Sequence, residues 1–291
     1  MPNTPISRRS ILGALAAGVV SAPIITPLGS SLATASELKL KGRIQQSVSR
    51  WCYDKIPWDT FCEEIKKMGI VGVDLISEKE WTLVQKYGLI PTMAPGAGSI
   101  GNGLNRKENH AKCMEEFKKN IAAAAKNKVP NVITFSGNRK GMPDNEAWDN
   151  CVLILKEAAK IAEDAGVTIN IELLNSKVDH KDYHCDHTAW GVEVCKRVNS
   201  PRVKLLYDIY HMQIMEGDII RTIRQYKEHL GHFHTGGNPG RNEIDETQEL
   251  NYKAIMSAIV ETGYKGYVAH EFIPKRDPMT SLKEAVLICD V

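Results

Sequence analysis

Short apolar runs alternate with longer helical patterns along nearly the whole chain after residue 35. The short runs are rich in β-branched residues, which is typical of strands buried on both faces of a parallel sheet. We predict eight such strands: Ile44–Ser49, Gly72–Ile76, Leu89–Ala94, Asn131–Ser136, Thr168–Leu173, Lys204–Asp208, Gly231–Thr235 and Tyr267–Phe272.

Helical periodicity fills most of the intervals between these strands. The clearest stretches are Asp59–Met68, Glu108–Asn127, Asp144–Ala165, Gly217–His229, Tyr252–Thr262 and Ser281–Cys289. This alternation matches the size and order of a (β/α)8 TIM barrel. The competing fold is a doubly wound sheet, but no G-x-G-x-x-G follows the first strand, as a dinucleotide-binding sheet would require. We therefore predict an α/β protein with one TIM-barrel domain over residues 36–291.

The first 35 residues differ in composition from the rest. The pair Arg8-Arg9 precedes a short run of small and apolar residues, and Ala33-Thr34-Ala35 offers a small-residue cleavage site. This order is typical of a secretory signal, and the paired arginines resemble a twin-arginine signal. The apolar run is too short to span about 30 Å of hydrocarbon, so no stable membrane span is expected. We expect residues 1–35 to be a signal peptide that takes the protein to the periplasm through the twin-arginine export machinery; the alternative is an uncleaved tail.

Charge and cysteine content exclude some functions. All 35 acidic residues and all but two of the 37 basic residues follow residue 35, so the predicted domain is formally neutral. A nucleic-acid-binding protein would carry a basic excess, so nucleic acid is not an expected partner. The seven cysteines include no C-x-x-C pair, and four of them lie in helical patterns: Cys62, Cys113, Cys151 and Cys195. We predict reduced cysteines in the core, which are compatible with the export of an already folded protein.

Four polar residues stand at the ends of the last four predicted strands: Glu172, Asp208, His234 and Glu271. The carboxyl ends of parallel strands converge at one mouth of a barrel, so these side chains are expected to meet there. Buried charges are costly unless they are paired or coordinated. Three carboxylates and an imidazole suit a divalent cation, Mn²⁺ or Mg²⁺ in the first place, with Co²⁺, Ni²⁺ or Zn²⁺ as alternatives. The competing interpretation is that each acid pairs with a lysine or arginine of the barrel.

The chain resembles a known family, the hydroxypyruvate isomerases among the xylose-isomerase-like barrels of the sugar isomerase and epimerase superfamily. The resemblance runs from Gln46 to the C-terminus, and its most specific stretches are Tyr207-Asp208-Ile209-Tyr210-His211-Met212-Gln213, Met215-Glu216-Gly217 and Asn238-Pro239-Gly240-Arg241. It implies that Glu172 and Glu271 correspond to the two catalytic glutamates, which flank the substrate and also contact the metal. Asp208 matches a metal aspartate. His234 stands where hydroxypyruvate isomerases carry Gln and the wider superfamily carries His.

These residues suit the isomerisation of a small hydroxy-carbonyl compound. Removing a proton beside a carbonyl produces an enediolate, whose negative charge a divalent cation stabilises. Two carboxylates on opposite sides of the reacting carbons can exchange the roles of base and acid. We predict a metal-dependent isomerase in which protons pass between Glu172 and Glu271. The resemblance names the interconversion of hydroxypyruvate and tartronate semialdehyde as the nearest reaction, and neither glutamate is assigned as the base.

Other functions remain open on the same residues. Epimerisation, dehydration or lyase chemistry on an exported sugar or keto-sugar also begins with proton abstraction beside a carbonyl. A non-catalytic sugar- or metal-binding protein is a further alternative, although binding alone needs no pair of acid/base glutamates. A DNA-repair endonuclease on this barrel would need more histidines and a basic face. All the favoured readings take a small-molecule substrate, and a homo-oligomer is compatible with each.

Two residues are candidates for substrate binding. His211 lies three residues after Asp208, where the chain leaves the strand, and either hydrogen-bonds a substrate oxygen or is a core histidine behind the ligands. Arg241 lies in the loop after the seventh strand, where a guanidinium could hold a carboxylate or phosphate bidentately. The resemblance favours this role for Arg241 over that of a plain surface arginine.

Three further features have structural alternatives. Arg50 ends the first strand and either reaches the mouth or stacks on Trp51 or Trp58. His232 shares a strand face with His234 but lies two residues deeper, which favours a supporting role over ligation. The stretch 180–187, rich in histidine and aspartate, departs from the loop of the resembled family; it either binds a surface metal or reshapes the mouth.

Overall fold

Eight parallel strands close into a barrel in the computed structural model, which describes residues 38–291. The strands follow chain order around the barrel, and β8 pairs with β1. They are β1 (Gln45–Ser49), β2 (Gly72–Asp74), β3 (Ile90–Ala97), β4 (Asn131–Thr134), β5 (Thr168–Glu172), β6 (Val203–Asp208), β7 (Leu230–Thr235) and β8 (Tyr267–His270). The predicted α/β TIM barrel is confirmed. The expected signal peptide at residues 1–35 lies outside the described residues.

Helices connect these strands throughout the described part of the chain. They are α1 (Trp58–Lys67), α2 (Glu78–Lys86), α3 (His110–Lys126), α4 (Asp144–Ala165), α5 (Thr188–Val198), α6 (Ile209–Met215), α7 (Ile219–Tyr226), α8 (Tyr252–Glu261) and α9 (Pro278–Cys289). Local sequence explains several ends. Ser77 and Glu80 form a capping box at the start of α2, and Asp277 accepts a hydrogen bond from Thr280 N before Pro278 opens α9. Gly166, at φ 70°, ends α4 in the left-handed region.

Several predicted boundaries differ from the observed ones for local reasons. β2 ends at Asp74 rather than Ile76, because Leu75 adopts a positive φ of 56° and turns the chain. β3 continues past Ala94 to Ala97, where a Cβ on Gly96 would lie 2.2 Å from the carbonyl oxygen of Ile133. The helix predicted over Gly217–His229 divides into α7 and a 3₁₀ turn, Lys227–His229.

The apolar core has two parts. The larger part packs the helices against the outer face of the barrel and includes the buried rings of Phe61, Phe117 and Phe233. A buried side chain of this size contributes roughly 1.5–3 kcal/mol to the free energy of folding. The smaller part lies among the strands themselves and consists of Met93, Ile133 and Leu206. The barrel also buries many polar side chains, so its interior is available for a site.

All seven cysteines are unpaired, and six of them are buried. The four that were predicted to be reduced core residues lie on α1, α3, α4 and α5, which confirms that prediction. Only Cys52 is half-buried.

Among residues 38–291, no helix combines the length and the apolar character that a membrane span requires.

Candidate functional site

The four predicted ligands meet at the carboxyl ends of β5 to β8. Each of these buried side chains places one ligand atom within 4.8 Å of the others: Glu172, Asp208, His234 and Glu271. The Nδ1 atom of His234 is central to the group. It lies 2.6 Å from Oε2 of Glu271, 3.7 Å from Oε1 of Glu172 and 3.8 Å from Oδ2 of Asp208. The convergence predicted from strand order is therefore observed.

Strand register and a helix cap place these groups. Asp208 on β6 pairs in register with His234 on β7. β6 leads directly into α6, and Oδ1 of Asp208 accepts a 3.1 Å hydrogen bond from the backbone N–H of His211 in the first turn. Asp208 thus uses one oxygen as a cap and presents the other to the site. The N–H of Glu271 donates to Thr235 O at 3.1 Å, which fixes the residue that follows β8.

The second ring nitrogen of His234 is held by an acid from the opposite side of the barrel. Nε2 of His234 lies 3.0 Å from Oδ2 of Asp74, the last residue of β2. The same oxygen lies 2.8 Å from Nε2 of His232. All three side chains are fully buried. The predicted supporting position of His232, deeper than His234, agrees with this arrangement.

Arg241 supplies a positive charge beside the acids. Its Nη2 lies 2.7 Å from Oδ2 of Asp208 and also pairs with Oε2 of Glu271. Nη1 lies 2.7 Å from Nε2 of His211, and the guanidinium covers the ring of Tyr210 at 5.0 Å. Arg241 itself has a φ of 56°, in the left-handed region, so the loop is bent to bring the side chain inward. Its side chain is only 13% exposed, which excludes a plain surface arginine.

The two glutamates have different electrostatic surroundings. Burial raises the pKa of Glu172 to about 8, and the charge of Glu271 adds to the shift. Burial acts in the same direction on Glu271, but the charges of His234 and Arg241 outweigh it and hold the pKa of Glu271 well below its ordinary value. Burial lowers the pKa of His211 to about 4, so this ring is neutral at pH 7. Two carboxyl groups whose pKa values are shifted in opposite directions therefore share one site.

A cavity of about 400 Å³ opens over this group. Its lining has a polar side that includes both glutamates and an apolar side, and the complete set is Trp51, Leu75, Ile100, Ile133, Phe135, Glu172, Leu174, Asp179, His180, His211, Arg241 and Glu271. The indole Nε1–H of Trp51 donates to Oε1 of Glu271 at 2.6 Å. A largely apolar pocket with a few convergent polar groups is typical of a small-molecule site.

The donor set fits a divalent cation. Nδ1 of His234 is buried and makes no hydrogen bond of regular geometry within the described residues, although three carboxylates face it. A neutral imidazole nitrogen with carboxylate oxygens is a donor set for Mn²⁺, Mg²⁺, Co²⁺ or Zn²⁺. Glu172, Asp208, His234 and Glu271 are the residues that could hold such an ion. The competing interpretation, pairing with basic residues, applies in part, since Arg241 contacts two of the acids.

Of the remaining residues predicted from the sequence, two line the cavity and one does not. His211 and Arg241 both line the cavity, beside the ligands. Arg50 does not line this cavity: its guanidinium stacks on Trp58 at 4.5 Å and on Phe61 at 4.8 Å, and it donates to Ile56 O at 2.7 Å. Of its predicted alternatives, stacking on Trp58 is the one observed.

The stretch 180–187 is dispersed rather than clustered. His184 is buried, stacks on Trp190 and lies 3.0 Å from Oδ1 of Asp144, while Asp186 pairs with Arg139 at 2.7 Å. Only His180 reaches the cavity. Among residues 38–291, neither of the two groups of side chains placed to hold a metal ion includes a residue of this stretch. The surface-metal alternative is therefore not supported, and the stretch shapes the mouth through His180.

Sequence reasoning missed three residues that contact the site. Asp74 lies within the predicted second strand, and no role in the site is predicted for it from the sequence. An acid in an otherwise apolar strand is nevertheless the signal that indicates Glu172 and Asp208. Trp51 was treated only as a stacking partner of Arg50. Asp179, which lines the cavity and accepts a 2.9 Å hydrogen bond from Tyr210 OH, carries no recognisable pattern in the sequence.

Fold and site together define a TIM-barrel protein with a candidate metal site at its mouth. The chain belongs to the xylose isomerase-like TIM barrel family, whose model matches residues 78–288. A crystal structure of an AP endonuclease, family 2, from Brucella melitensis has the same fold, with a TM-score of 0.72 and 23% identity over 82% of this chain and 97% of that one.

The sequence is also similar to proteins that are named as isomerases. Hydroxypyruvate isomerase from Escherichia coli is 29% identical over 175 residues, covering 58% of this chain and 67% of that protein. 2-Oxo-tetronate isomerase from Cupriavidus necator is 34% identical over 118 residues, covering 40% of this chain and 45% of that protein. Matches to relatives from Danio rerio, Xenopus laevis and Homo sapiens cover 46%, 50% and 46% of those proteins. The chain thus spans about half the length of most of these relatives.

Proposed function

We propose that this chain is a divalent-metal-dependent isomerase of a small hydroxy-carbonyl acid, with hydroxypyruvate as the first substrate to test. One observation carries the proposal. Glu172 and Glu271 approach the same cavity from β5 and β8, with Asp208 and His234 between them. A site for binding alone has no need of two buried carboxylates on one substrate cavity. Similarity to a hydroxypyruvate isomerase and a 2-oxo-tetronate isomerase supports the same reaction class.

The reaction needs one proton to leave the hydroxymethyl carbon and one to reach the neighbouring carbonyl carbon, while the hydroxyl proton passes from the hydroxymethyl oxygen to the former carbonyl oxygen. One glutamate accepts the first proton on a carboxylate oxygen, and the other delivers the second proton from the opposite side. In the metal-free site their opposite pKa shifts allow a protonated and an ionised carboxyl to coexist. Trp51 donates to Oε1 of Glu271 and so orients that carboxylate.

When bound, the divalent cation would stabilise the negative charge that develops on the substrate oxygens. Glu172, Asp208, His234 and Glu271 would hold it. Arg241 lies at the cavity wall and offers its guanidinium to the substrate carboxylate. His211 is neutral at pH 7, accepts a hydrogen bond from Nη1 of Arg241 through Nε2, and lies 2.6 Å from Nδ2 of Asn175 through Nδ1. Both ring nitrogens are therefore engaged, and the ring orients the guanidinium of Arg241 beside the substrate. The apolar lining from Leu75, Ile133 and Phe135 limits the access of water to the reacting carbons.

The size of the cavity favours a second candidate, the isomerisation or epimerisation of a longer sugar or keto-sugar. About 400 Å³ is more room than a three-carbon acid fills, and cavities of roughly 300–1,000 Å³ hold ligands of greater size. His180 and Asp179, which line the cavity and are not among the four candidate ligands, would then contact further hydroxyl groups of the substrate. Dehydratase or lyase chemistry on such a substrate begins with the same proton abstraction.

Solvent deuterium incorporation tests both candidates. The protein, supplied with Mn²⁺ in D₂O, is incubated with hydroxypyruvate, four-carbon 2-oxo acids, ketoses and keto-sugars, and carbon-bound deuterium is followed by NMR. We expect Glu172→Gln and Glu271→Gln each to slow exchange by about 10²–10⁴-fold, the usual contribution of a positioned acid or base. Glu243→Gln is the matched control, because Glu243 is a buried glutamate bonded to Ser281 at 3.0 Å and does not line the cavity. Full exchange in both site variants would contradict the proton-transfer role.

We also propose export through the twin-arginine route, supported by Arg8-Arg9 and the small-residue run after them. The measurement is the location and length of a C-terminally tagged protein, with Arg8→Lys/Arg9→Lys as the matched variant. A processed wild-type protein in the periplasm and an unprocessed variant in the cytoplasm are expected. Full-length wild-type protein in the cytoplasm would contradict this proposal.

A further inference from the structure

A buried acid behind the candidate metal site takes no part in the proton transfer proposed above. Oδ2 of Asp74 lies 3.0 Å from Nε2 of His234 and 2.8 Å from Nε2 of His232. None of the three side chains has any exposed surface. Burying a carboxylate is costly unless it is fully paired, so this arrangement requires a reason.

The contact decides which nitrogen of His234 faces the ligands. An imidazole has two ring nitrogens, and the hydrogen bond made by one determines the chemistry available to the other. With Nε2–H donated to Asp74, Nδ1 is the nitrogen of His234 that remains to bind a cation. That is the atom which lies between 2.6 and 3.8 Å from the carboxylates of Glu271, Glu172 and Asp208. Asp74 therefore presents the ligating nitrogen to the site.

The other oxygen of Asp74 is held from the first half of the barrel. Oδ1 accepts hydrogen bonds from Thr92 Oγ1 on β3 and from Ser47 Oγ on β1, the latter at 3.3 Å. Asp74 itself ends β2. Groups on three strands that supply none of the four ligands thus fix the orientation of the one imidazole ligand.

A different interpretation is that Asp74, His232 and His234 bind an ion of their own, because their ligand atoms also lie within 4.8 Å of one another. The observed contacts favour hydrogen bonding. Oδ2 of Asp74 is already at hydrogen-bond distance from both rings, and none of the three side chains lines the cavity. The second-ion interpretation predicts two ions per chain, and the test below includes it.

We propose that Asp74 is a positioning residue that, through His234, sets the affinity and coordination of the divalent ion at the barrel mouth. The inference rests on the proposed function to the extent that it assumes an ion at this site. Carboxylates that orient a metal-bound histidine typically change metal affinity by about 10–100-fold when they are removed.

The experiment is a calorimetric titration of the metal-free full chain with Mn²⁺ and with Co²⁺, in which the Co²⁺ absorption spectrum reports the coordination. We expect Asp74→Ala to weaken binding by about 10–100-fold and Asp74→Asn, which keeps the shape of the side chain, by less. Thr92→Val is the matched control: it removes a bond to Oδ1 and leaves both contacts of Oδ2 in place, so its loss is expected to be the smallest. His232→Gln separates the contribution of the deeper histidine.

A second readout needs neither metal nor substrate. In protein labelled with ¹⁵N-histidine, the wild type is expected to show slowly exchanging Nε2–H protons on both His232 and His234. Asp74→Ala should lose or shift both, and Asp74→Asn should weaken them. This measurement also shows whether each variant retains its fold, and Asp74→Asn provides the test if Asp74→Ala does not fold.

The outcomes are distinct. A folded Asp74→Asn with wild-type metal affinity, an unchanged Co²⁺ spectrum and unchanged Nε2–H signals would overturn the inference. Two bound ions in the wild type, one of them lost in the Asp74 variants, would overturn it in favour of a second metal site. Weakened metal binding in the variants with no proton exchange on any substrate would support the inference and contradict the proposed function alone. A wild type that binds no divalent ion would contradict both.

Discussion

The two halves of the barrel contribute different kinds of residues to the candidate site. Strands β5 to β8 each end within one residue of one of the four candidate ligands, Glu172, Asp208, His234 and Glu271. Strands β1 to β4 supply none of them. Their contribution to the cavity is mainly apolar, from Leu75, Ile100, Ile133 and Phe135. The polar groups that the first half does send to the site act through a ligand: Trp51 contacts Glu271, and Asp74 contacts His234.

This difference shows that a symmetric fold can carry an asymmetric site. Every strand of a TIM barrel delivers its carboxyl end to the same mouth, so any strand could supply a ligand. Here the ligands come from neighbouring strands, which keeps them within 4.8 Å of one another. The strands across the barrel are then free to form a wall and to orient the ligands. We expect substitutions in the second half to abolish chemistry and those in the first half to adjust it.

The largest effect is expected when a ligand is removed from the second half. Asp208→Asn takes away the charge that faces Arg241 at 2.7 Å and weakens the donor set, while the amide oxygen can still cap α6. We expect metal affinity to fall by more than about 100-fold, beyond the effect of losing an orienting partner. Titration calorimetry with Mn²⁺ measures this. Asp179→Asn is the matched control, since Asp179 lines the outer cavity and is not a candidate ligand; an equal loss in both would remove the distinction between the halves.

A smaller effect is expected from a residue of the first half of the barrel that orients a carboxylate proposed to transfer protons. Trp51→Phe keeps an aromatic ring but removes the 2.6 Å hydrogen bond to Oε1 of Glu271. A hydrogen bond to a charged group contributes roughly 1.5–3 kcal/mol, so we expect kcat to fall by about tenfold or more with KM little changed. Steady-state kinetics with the substrate found by deuterium exchange measure this. If Trp51→Phe matched the loss in Glu271→Gln, the first half would have to be counted as part of the proton-transfer machinery.

The pH dependence of stability sharpens the comparison from another direction. The pKa of Glu172 rises from 4.5 to about 8 on folding, chiefly because the group is buried. Its contribution to the stability of the metal-free protein is therefore fully present below about pH 4.5 and is lost as the pH rises through 8. Glu172→Gln should lack this decline, so its melting temperature should gain on that of the wild type between pH 5 and 9. If the melting temperatures of the two proteins, measured in EDTA, changed with pH in the same way, the pKa shift of Glu172 would be contradicted.

The smallest effect is expected from the apolar wall. Ile133→Ala enlarges the cavity without touching a ligand, and truncating a buried isoleucine costs about 2–5 kcal/mol of folding stability, toward the lower end beside an existing cavity. We expect less than a tenfold change in kcat/KM, with the change in KM greatest for short substrates. Comparing short and long substrates checks whether this wall selects by size. A collapse of kcat would show that the wall also positions the reacting carbons.

Much of this site could be predicted because strand ends are legible in the sequence. Glu172, Asp208, His234 and Glu271 lie at predicted strand ends roughly one βα unit apart, and barrel topology then brings them together. Asp74 ends the observed β2, but in the sequence it lies inside an apolar run that continues through Ile76. Its partner His232 is 158 positions away, and no local pattern joins them. Arg50 shows that a position at a strand end does not by itself bring a side chain to the site. It stands at a strand end, yet the 3₁₀ turn that follows β1 directs it onto Trp58 and away from the cavity, which depends on packing rather than on order along the chain.

The position of Arg241 has a consequence for the stability of the metal-free protein. Its guanidinium already compensates Asp208 and Glu271, so an empty site does not leave three mutually repelling acids in the barrel. The apolar core that holds the fold together lies elsewhere, between the helices and the outer face of the strands. We therefore expect that a divalent cation at this site could be exchanged for another without unfolding of the protein.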